Sequence, residues 1–230
     1  MRIAVAREAD PAEDRVAATP ETVKKMKALG ADVAVEPGAG VKSGIPDAHF
    51  TAAGATITQD AVKGADMVLR VRRPAASELA SCKKGALVLA IMDPYGNEAA
   101  VKAMADAGVT AFAMELMPRI TRAQAMDVLS SQANLAGYRA VIDAAAEYGR
   151  ALPMMMTAAG TIPAAKVFVM GAGVAGLQAI ATARRLGAVV TATDVRPAAK
   201  EQVESLGAKF IAVEDEIGRA SCRERVSECV

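Results

Sequence analysis

Gly171-Ala172-Gly173-Val174-Ala175-Gly176 stands between the apolar run Lys166–Met170 and a helical pattern that begins at Val174. A strand feeding a glycine turn into a helix leaves the first helical amides, those of Val174 and Ala175, without intrahelical partners, and they are placed to receive a pyrophosphate. Each glycine has a task in such a loop. Gly171 permits the tight turn, Gly173 lets the backbone approach the phosphates, and Gly176 lets helix and strand pack closely. Eighteen residues past Gly176, the β-branched run Val189–Thr193 ends in Asp194. A carboxylate at the tip of the second strand is placed to accept both hydroxyls of an adenosine ribose, which favours NAD(H) over NADP(H) in this site. A glycine-rich contact between helix and strand with no ligand is the plainer alternative, and the order strand, loop, helix, strand, acid argues against it.

Working outward, Lys166–Met170, Val189–Thr193 and Lys209–Val213 read as three strands, with helices Val174–Leu186 and Ala198–Leu206 between them. Right-handed crossovers put the strands in the order 3-2-1 and leave an unpaired edge on the first. Upstream, short apolar runs at Ile3–Ala6, Val33–Glu36, Met67–Val71, Leu87–Ile91 and Thr110–Ala113 alternate with helical patterns near Glu21–Leu29, Asp47–Ala53, Ala76–Ser81 and Asn97–Ala107. That alternation predicts a parallel sheet covered by helices. Thr19 is a good N-cap for the first helix, Pro20 suits its first position, and Gly30 ends it. Ser131–Tyr148 reads as one long helix, and residues 151–165, with three methionines, two prolines and a glycine, as a connector.

The fold class expected is therefore α/β, with two doubly wound parallel-sheet domains, the second a Rossmann-type dinucleotide-binding domain truncated after its third strand. The expected divisions are an N-terminal domain over residues 1–130, a linking helix and connector over 131–165, and the first half of the dinucleotide domain over 166–216. Residues 217–230, beginning Ile217-Gly218-Arg219-Ala220-Ser221-Cys222, resemble the translation of a sequencing-adapter oligonucleotide and are expected to be non-native.

The chain carries 27 Lys and Arg against 26 Asp and Glu, and omitting the tail makes the two signs equal. No basic bias points to nucleic acid. Cys222 and Cys229 belong to the tail, and the remaining Cys82 suits a reducing cytoplasm without suggesting a metal set. Val167–Ala183, the longest uncharged stretch, falls short of the roughly 20 apolar residues of a membrane span and contains the glycine loop. The single histidine, His49, lacks the partners of a catalytic constellation.

Several stretches together resemble one family. Arg7-Glu8 followed by Glu13-Asp14-Arg15-Val16-Ala17-Ala18-Thr19-Pro20 is similar to the N-terminal signature shared by alanine dehydrogenases and the NAD-binding subunit of proton-translocating NAD(P) transhydrogenases. The run from Met117 through Arg119-Ile120-Thr121-Arg122-Ala123-Gln124-Ala125-Met126-Asp127-Val128-Leu129-Ser130 to Val141 resembles the transhydrogenase alpha subunit in particular. So do Pro153–Thr161 and Asp194-Val195-Arg196. The resemblance implies direct hydride transfer from NADH held here to NADP(H) on a partner subunit, coupled to proton movement through a membrane-spanning subunit. It also implies a homodimer that is cytoplasmic and peripheral to the inner face of the plasma membrane. Among residues, it implies a charge pair of Arg119 and Asp127 near the nicotinamide, Gln124 reaching toward the partner's nucleotide, Ser130 as a carboxamide ligand and Arg196 beside the ribose acid. Gln124 has a second reading, since Thr121-x-x-Gln124 fits a capping box.

Two other functions compete with this one. An amino acid dehydrogenase like alanine dehydrogenase would use a lysine and a histidine where this sequence has Arg72 and Met92. Arginine does not deprotonate near neutral pH and methionine cannot carry a proton. A non-catalytic module that senses NADH would share the glycine loop and Asp194, and would have no use for the Arg119–Ser130 run. Arg70, Arg72 and Arg73 read either as a strand-end anion site or as salt-bridged groups.

Overall fold

The computed structural model of the chain describes residues 1–212. The expected strand end at Val213 and the expected non-native tail lie outside the described residues. The chain forms two compact units, one of Met1–Val128 and one beginning at Leu129.

In the first unit the chain runs through β1 (Arg2–Val5), α1 (Pro20–Ala28), β2 (Asp32–Val35), α2 (Asp47–Ala52), β3 (Thr56–Ile57), β4 (Met67–Arg72), α3 (Ala76–Leu79), β5 (Leu87–Ile91), α4 (Glu98–Asp106) and β6 (Thr110–Ala113). The six strands are parallel in the order β3-β2-β1-β4-β5-β6. The chain starts in the middle of the sheet, winds out to one edge, returns beside β1 and winds out to the other, which is the doubly wound arrangement expected. β3 is an addition. Its two residues are too few to leave a period in the sequence.

Strand alternation divides the core between the two faces of this sheet. Ile3 and Val5, opposite Val33 and Val35, join a buried cluster with Val23 and Phe50, while Ala4, opposite Ala34, joins one with Val68, Val88 and Met104. Both faces of β1 are therefore dry, as befits a central parallel strand. The start of α1 is the one foreseen: Thr19 is extended (φ −101°, ψ 164°) and its side chain accepts the Thr22 amide at 3.3 Å. Gly30 adopts φ +81° just past the helix end, in the left-handed region that favours glycine.

The second unit contains most of α5 (Val128–Glu147), then β7 (Met155–Thr157), β8 (Gly160–Ile162), β9 (Lys166–Met170), α6 (Val174–Arg185), β10 (Val189–Thr193), α7 (Ala199–Ser205) and β11 (Lys209–Phe210). The parallel order β11-β10-β9 is the expected 3-2-1. Val167, Val169, Val190 and Ala192 face a buried cluster with Ile180 of α6 and Val203 of α7. Phe168 and Met170 point the other way and are 53% and 78% exposed.

The connector expected over residues 151–165 instead contains the antiparallel hairpin β7-β8. Its turn residues, Ala158 and Ala159, lack the Asn-Gly or Gly-X chemistry that usually announces a two-residue hairpin. Thr157 Oγ1 accepts the Ala159 amide at 3.2 Å, and Gly160 takes φ +137°.

Two glycines bring the backbone of α6 against its neighbours. A Cβ on Gly176 would lie 1.8 Å from the Gly171 carbonyl oxygen, and one on Gly137 of α5 would lie 2.0 Å from the Ala175 carbonyl oxygen. A Cβ on Gly173 would meet nothing within 4 Å. Gly176→Ala is therefore expected to destabilise the second unit by at least about 2–3 kcal/mol, the range for overpacking against an unyielding neighbour. Gly173→Ala is expected to stay within about 0.5 kcal/mol of the parent, as surface changes generally do. Urea unfolding of both variants checks the contrast.

Candidate dinucleotide site

The strand-end loop of the second unit gathers Gly171, Gly173, Val174, Gly176, Asp194 and Arg196. Gly171 closes the end of β9 with φ +91°, and its amide donates to the Thr193 carbonyl at 2.8 Å. Gly173 is the extended N-cap of α6 (φ −75°, ψ −169°) and makes no side-chain capping bond, so no side chain of the cap competes for the opening amides of this 12-residue helix. Those amides carry the positive end of the helix dipole. An anionic group fits the loop on two counts: it is a cradle that a Cβ on Gly173 would obstruct, and the chain's own packing does not require glycine there.

Asp194 follows β10 directly and is held by the same loop. Its Oδ2 accepts the Ala172 amide at 2.7 Å, and its Oδ1 accepts the Arg196 amide at 2.8 Å. The Arg196 guanidinium adds Nε to Oδ1 at 2.9 Å and Nη2 to Oδ2 at 3.0 Å. The guanidinium bonds, with the two backbone amides in support, hold the Asp194 carboxyl well below the usual carboxylate range, so it is ionised throughout the physiological range. Nη2 also reaches the Ala172 carbonyl at 3.3 Å. Arg196 is thus bound to both the strand end and the glycine loop.

A strand-end acid bracing a loop amide is not by itself a nucleotide site. In the first unit Glu36, after β2, accepts the Arg7 amide at 2.8 Å in the corresponding place, beside a loop that lacks the glycines. What distinguishes the second unit is the combination of Gly171, Gly173 and Gly176 with the acid.

Arg119, Gln124 and Asp127 belong to the first unit and Ser130 to the second. Residues Thr121–Met126 form a 3-10 helix whose N-cap, Ile120, makes no side-chain capping bond. The capping-box reading of Thr121 and Gln124 is therefore corrected. The Gln124 carbonyl accepts the Asp127 amide at 3.2 Å while its side chain is exposed. Asp127 returns to extended backbone (φ −74°, ψ 92°), and α5 begins at the next residue, three earlier than expected, with Ser130 in its first turn. Arg119 is exposed and Asp127 half-buried.

The strand-end arginines are salt-bridged. Arg70 is 7% exposed, pairs with Glu78, and donates to the Arg7 carbonyl at 3.1 Å, beside an irregularity in the β4–β5 register that lies between Leu69 and Arg72. Arg72 Nε donates to Glu13 at 2.9 Å, and Glu13 also holds Arg15 at 2.6 Å. Hydrogen bonds from Arg15 above all, then from Arg72, bring the Glu13 carboxyl down to about 2. Arg73 donates to the Met92 and Asp93 carbonyls. These groups border a cleft of ≈ 530 Å³ in which acids and bases alternate. Met92 is 3% exposed within the core. Neither Arg72 nor Met92 offers the titrating group that amino acid oxidation requires. His49 is exposed on α2 and serves no site.

Sequence reasoning missed two contributors. Gly137 has no local signature, because its need for a missing side chain comes from Ala175, far along the chain. The Ala172 amide, lying inside the glycine motif, looks like a phosphate donor but is spent on Asp194.

Comparison with known proteins agrees with this geometry. Residues 4–136 match the family described as alanine dehydrogenase/PNT, N-terminal domain, and residues 140–230 match its C-terminal domain. The chain is 59% identical over 224 residues to the first of the separate polypeptides that make up the NAD(P) transhydrogenase alpha subunit of Rhodospirillum rubrum, covering 94% of this chain and 58% of that protein. It is 32% identical over 216 residues to the alanine dehydrogenase of Mycobacterium tuberculosis, covering 91% and 57%. The structure matches that of a transhydrogenase from Sinorhizobium meliloti with a TM-score of 0.89 and 72% identity, over 91% of this chain and 64% of that one. The chain thus spans less than two thirds of the length of each of these relatives. From the paired domain matches and from these identities, the chain belongs to the alanine dehydrogenase/PNT family.

Proposed function

We propose that this chain is the NAD(H)-binding part of a proton-translocating NAD(P) transhydrogenase, passing hydride directly from NADH to NADP(H) on a partner subunit. The observation that carries the reading is Gly173, a glycine that the protein's packing does not need, at the mouth of a helix whose amides await an anion and within one loop of a strand-end acid. The higher identity to transhydrogenase than to alanine dehydrogenase supports it, as does the absence of titrating groups at Arg72 and Met92.

NADH is a substrate of this exchange and supplies the hydride. The protein's part is to bind and orient. The amides at the start of α6 hold the pyrophosphate against the helix dipole, and Asp194 takes the adenosine ribose. Hydride transfer between two nicotinamides needs no acid or base, only reacting carbons held about 3–3.5 Å apart away from water. Arg119, Gln124 and Asp127 are assigned to that positioning, and Ser130 to the carboxamide. Partners on this reading are a second copy of the chain, an NADP(H)-binding subunit and a membrane-spanning subunit that keeps this one at the inner face of the plasma membrane. Among the described residues no helix is long and apolar enough to cross a membrane, which supports leaving the proton path to a partner.

Gly173→Ala is expected to raise the dissociation constant for NADH about tenfold or more, by calorimetry, because a methyl group intrudes where the phosphates approach. Unaltered affinity would remove the loop from the site. Gln124→Asn, in the reconstituted complex, is expected to slow hydride transfer while sparing NADH affinity, since about 1 Å of misplacement costs up to a hundredfold in rate. Stopped-flow transfer at the parental rate would return Gln124 to a structural role.

A further inference from the structure

The Asp194 carboxylate is filled by its own protein. An ionised carboxylate has about four lone-pair positions. Here Oδ1 takes the Arg196 amide and Nε, and Oδ2 takes the Ala172 amide and Arg196 Nη2, all within 3.0 Å. Two of these donors are main-chain groups set by the end of β10 and by the glycine loop. The other two sit on a single guanidinium, one on each oxygen. The carboxylate side chain is only 5% exposed and that of Arg196 is 61% exposed, so the lid over the acid is a side chain that already stands mostly in water.

A ribose diol needs from this acid what the guanidinium takes. Two neighbouring hydroxyls donate in parallel, one to each carboxylate oxygen, in the manner of a bidentate arginine fork. The two backbone donors do not interfere, since they occupy the other lone pair of each oxygen. The diol and the fork are therefore mutually exclusive.

We infer that Arg196 is a displaceable latch over Asp194, a group that the adenosine ribose must expel, and that it sets the dinucleotide affinity by competing for the acid. This rests on the reading of Asp194 as the ribose acceptor. It changes the role of Arg196 from a ligand of the nucleotide to a rival of it. When the latch opens, the Nη2 contact with the Ala172 carbonyl goes as well, which frees the loop on the side where the pyrophosphate approaches. Binding is then weakened by the fraction of time the latch is shut.

The test is the affinity of the intact subunit and its Arg196→Ala and Arg196→Lys forms for NADH, AMP and 2′,3′-dideoxy-AMP. Arg196→Ala is expected to bind NADH and AMP about three- to tenfold more tightly than the parent, the gain for a site otherwise open about a tenth to a third of the time. Dideoxy-AMP, which has no diol to compete, is expected to bind both proteins alike. Lysine, with a point charge instead of a fork, is expected to fall between. Melting temperatures without nucleotide report any loss of folding separately. Weaker or equal binding of NADH and AMP by Arg196→Ala would overturn the latch, the weaker case making Arg196 a ligand. AMP and dideoxy-AMP binding equally well to Arg196→Ala would instead remove Asp194 from the ribose site, and the latch with it.

Discussion

The second unit is organised around a contact with no side chain in it. At Gly176 the backbone of α6 lies against the Gly171 carbonyl, and at Gly137 the backbone of α5 lies against the carbonyl of Ala175, one residue before. Three stretches of main chain are thereby stacked, and the first turn of α6 is fixed by both neighbours. An anion site made of backbone amides has no side chain to adjust its aim, so its accuracy depends on how firmly the helix start is held. The glycines hold it by allowing contact, and Asp194 pulls the loop from the other side through the Ala172 amide.

The first unit shows what the same device does without the glycines. Glu36 receives the Arg7 amide as Asp194 receives that of Ala172, and there the acid serves only to tie strand end to loop. Around it, Glu8, Glu13, Arg70 and Arg72 neutralise each other in a network in which each charge has an opposite neighbour. A cleft of this kind is fixed in charge across the physiological range, since neither its arginines nor a carboxyl held near 2 titrates there. That is a poor setting for proton transfer and leaves the first unit to act by position.

Much of this was legible in the sequence. Strands of four to six residues, the cap at Thr19 and Pro20, the order 3-2-1 and the clustering of the glycine loop with Asp194 follow from period, punctuation and handedness, all of them local or nearly so. The hairpin β7-β8 was not legible because its turn is made by a threonine hydroxyl and a single glycine instead of a recognisable dipeptide. Thr121 and Gln124 had the spacing of a capping box, but the chain there winds as a 3-10 helix and straightens at Asp127 before α5 starts. Spacing cannot tell one helix from two in succession. The occupation of Asp194 by Arg196 was hidden for a similar reason, since two residues apart in sequence says nothing of a guanidinium folding back on the carboxylate.

The two faces of β1 and β2 differ in kind: Ile3, Val5, Val33 and Val35 on one, Ala4 and Ala34 on the other. Branched side chains hold their helices off at a distance, whereas alanines let the opposing layer settle almost onto the strands. The two layers are therefore vulnerable to opposite errors. Trimming a methyl group opens a void on the branched face, and adding one on the alanine face forces layers apart. One central strand is thus sensitive to shrinkage and to growth on alternate residues, and a random change at any of these positions is as apt to wedge the sheet as to hollow it.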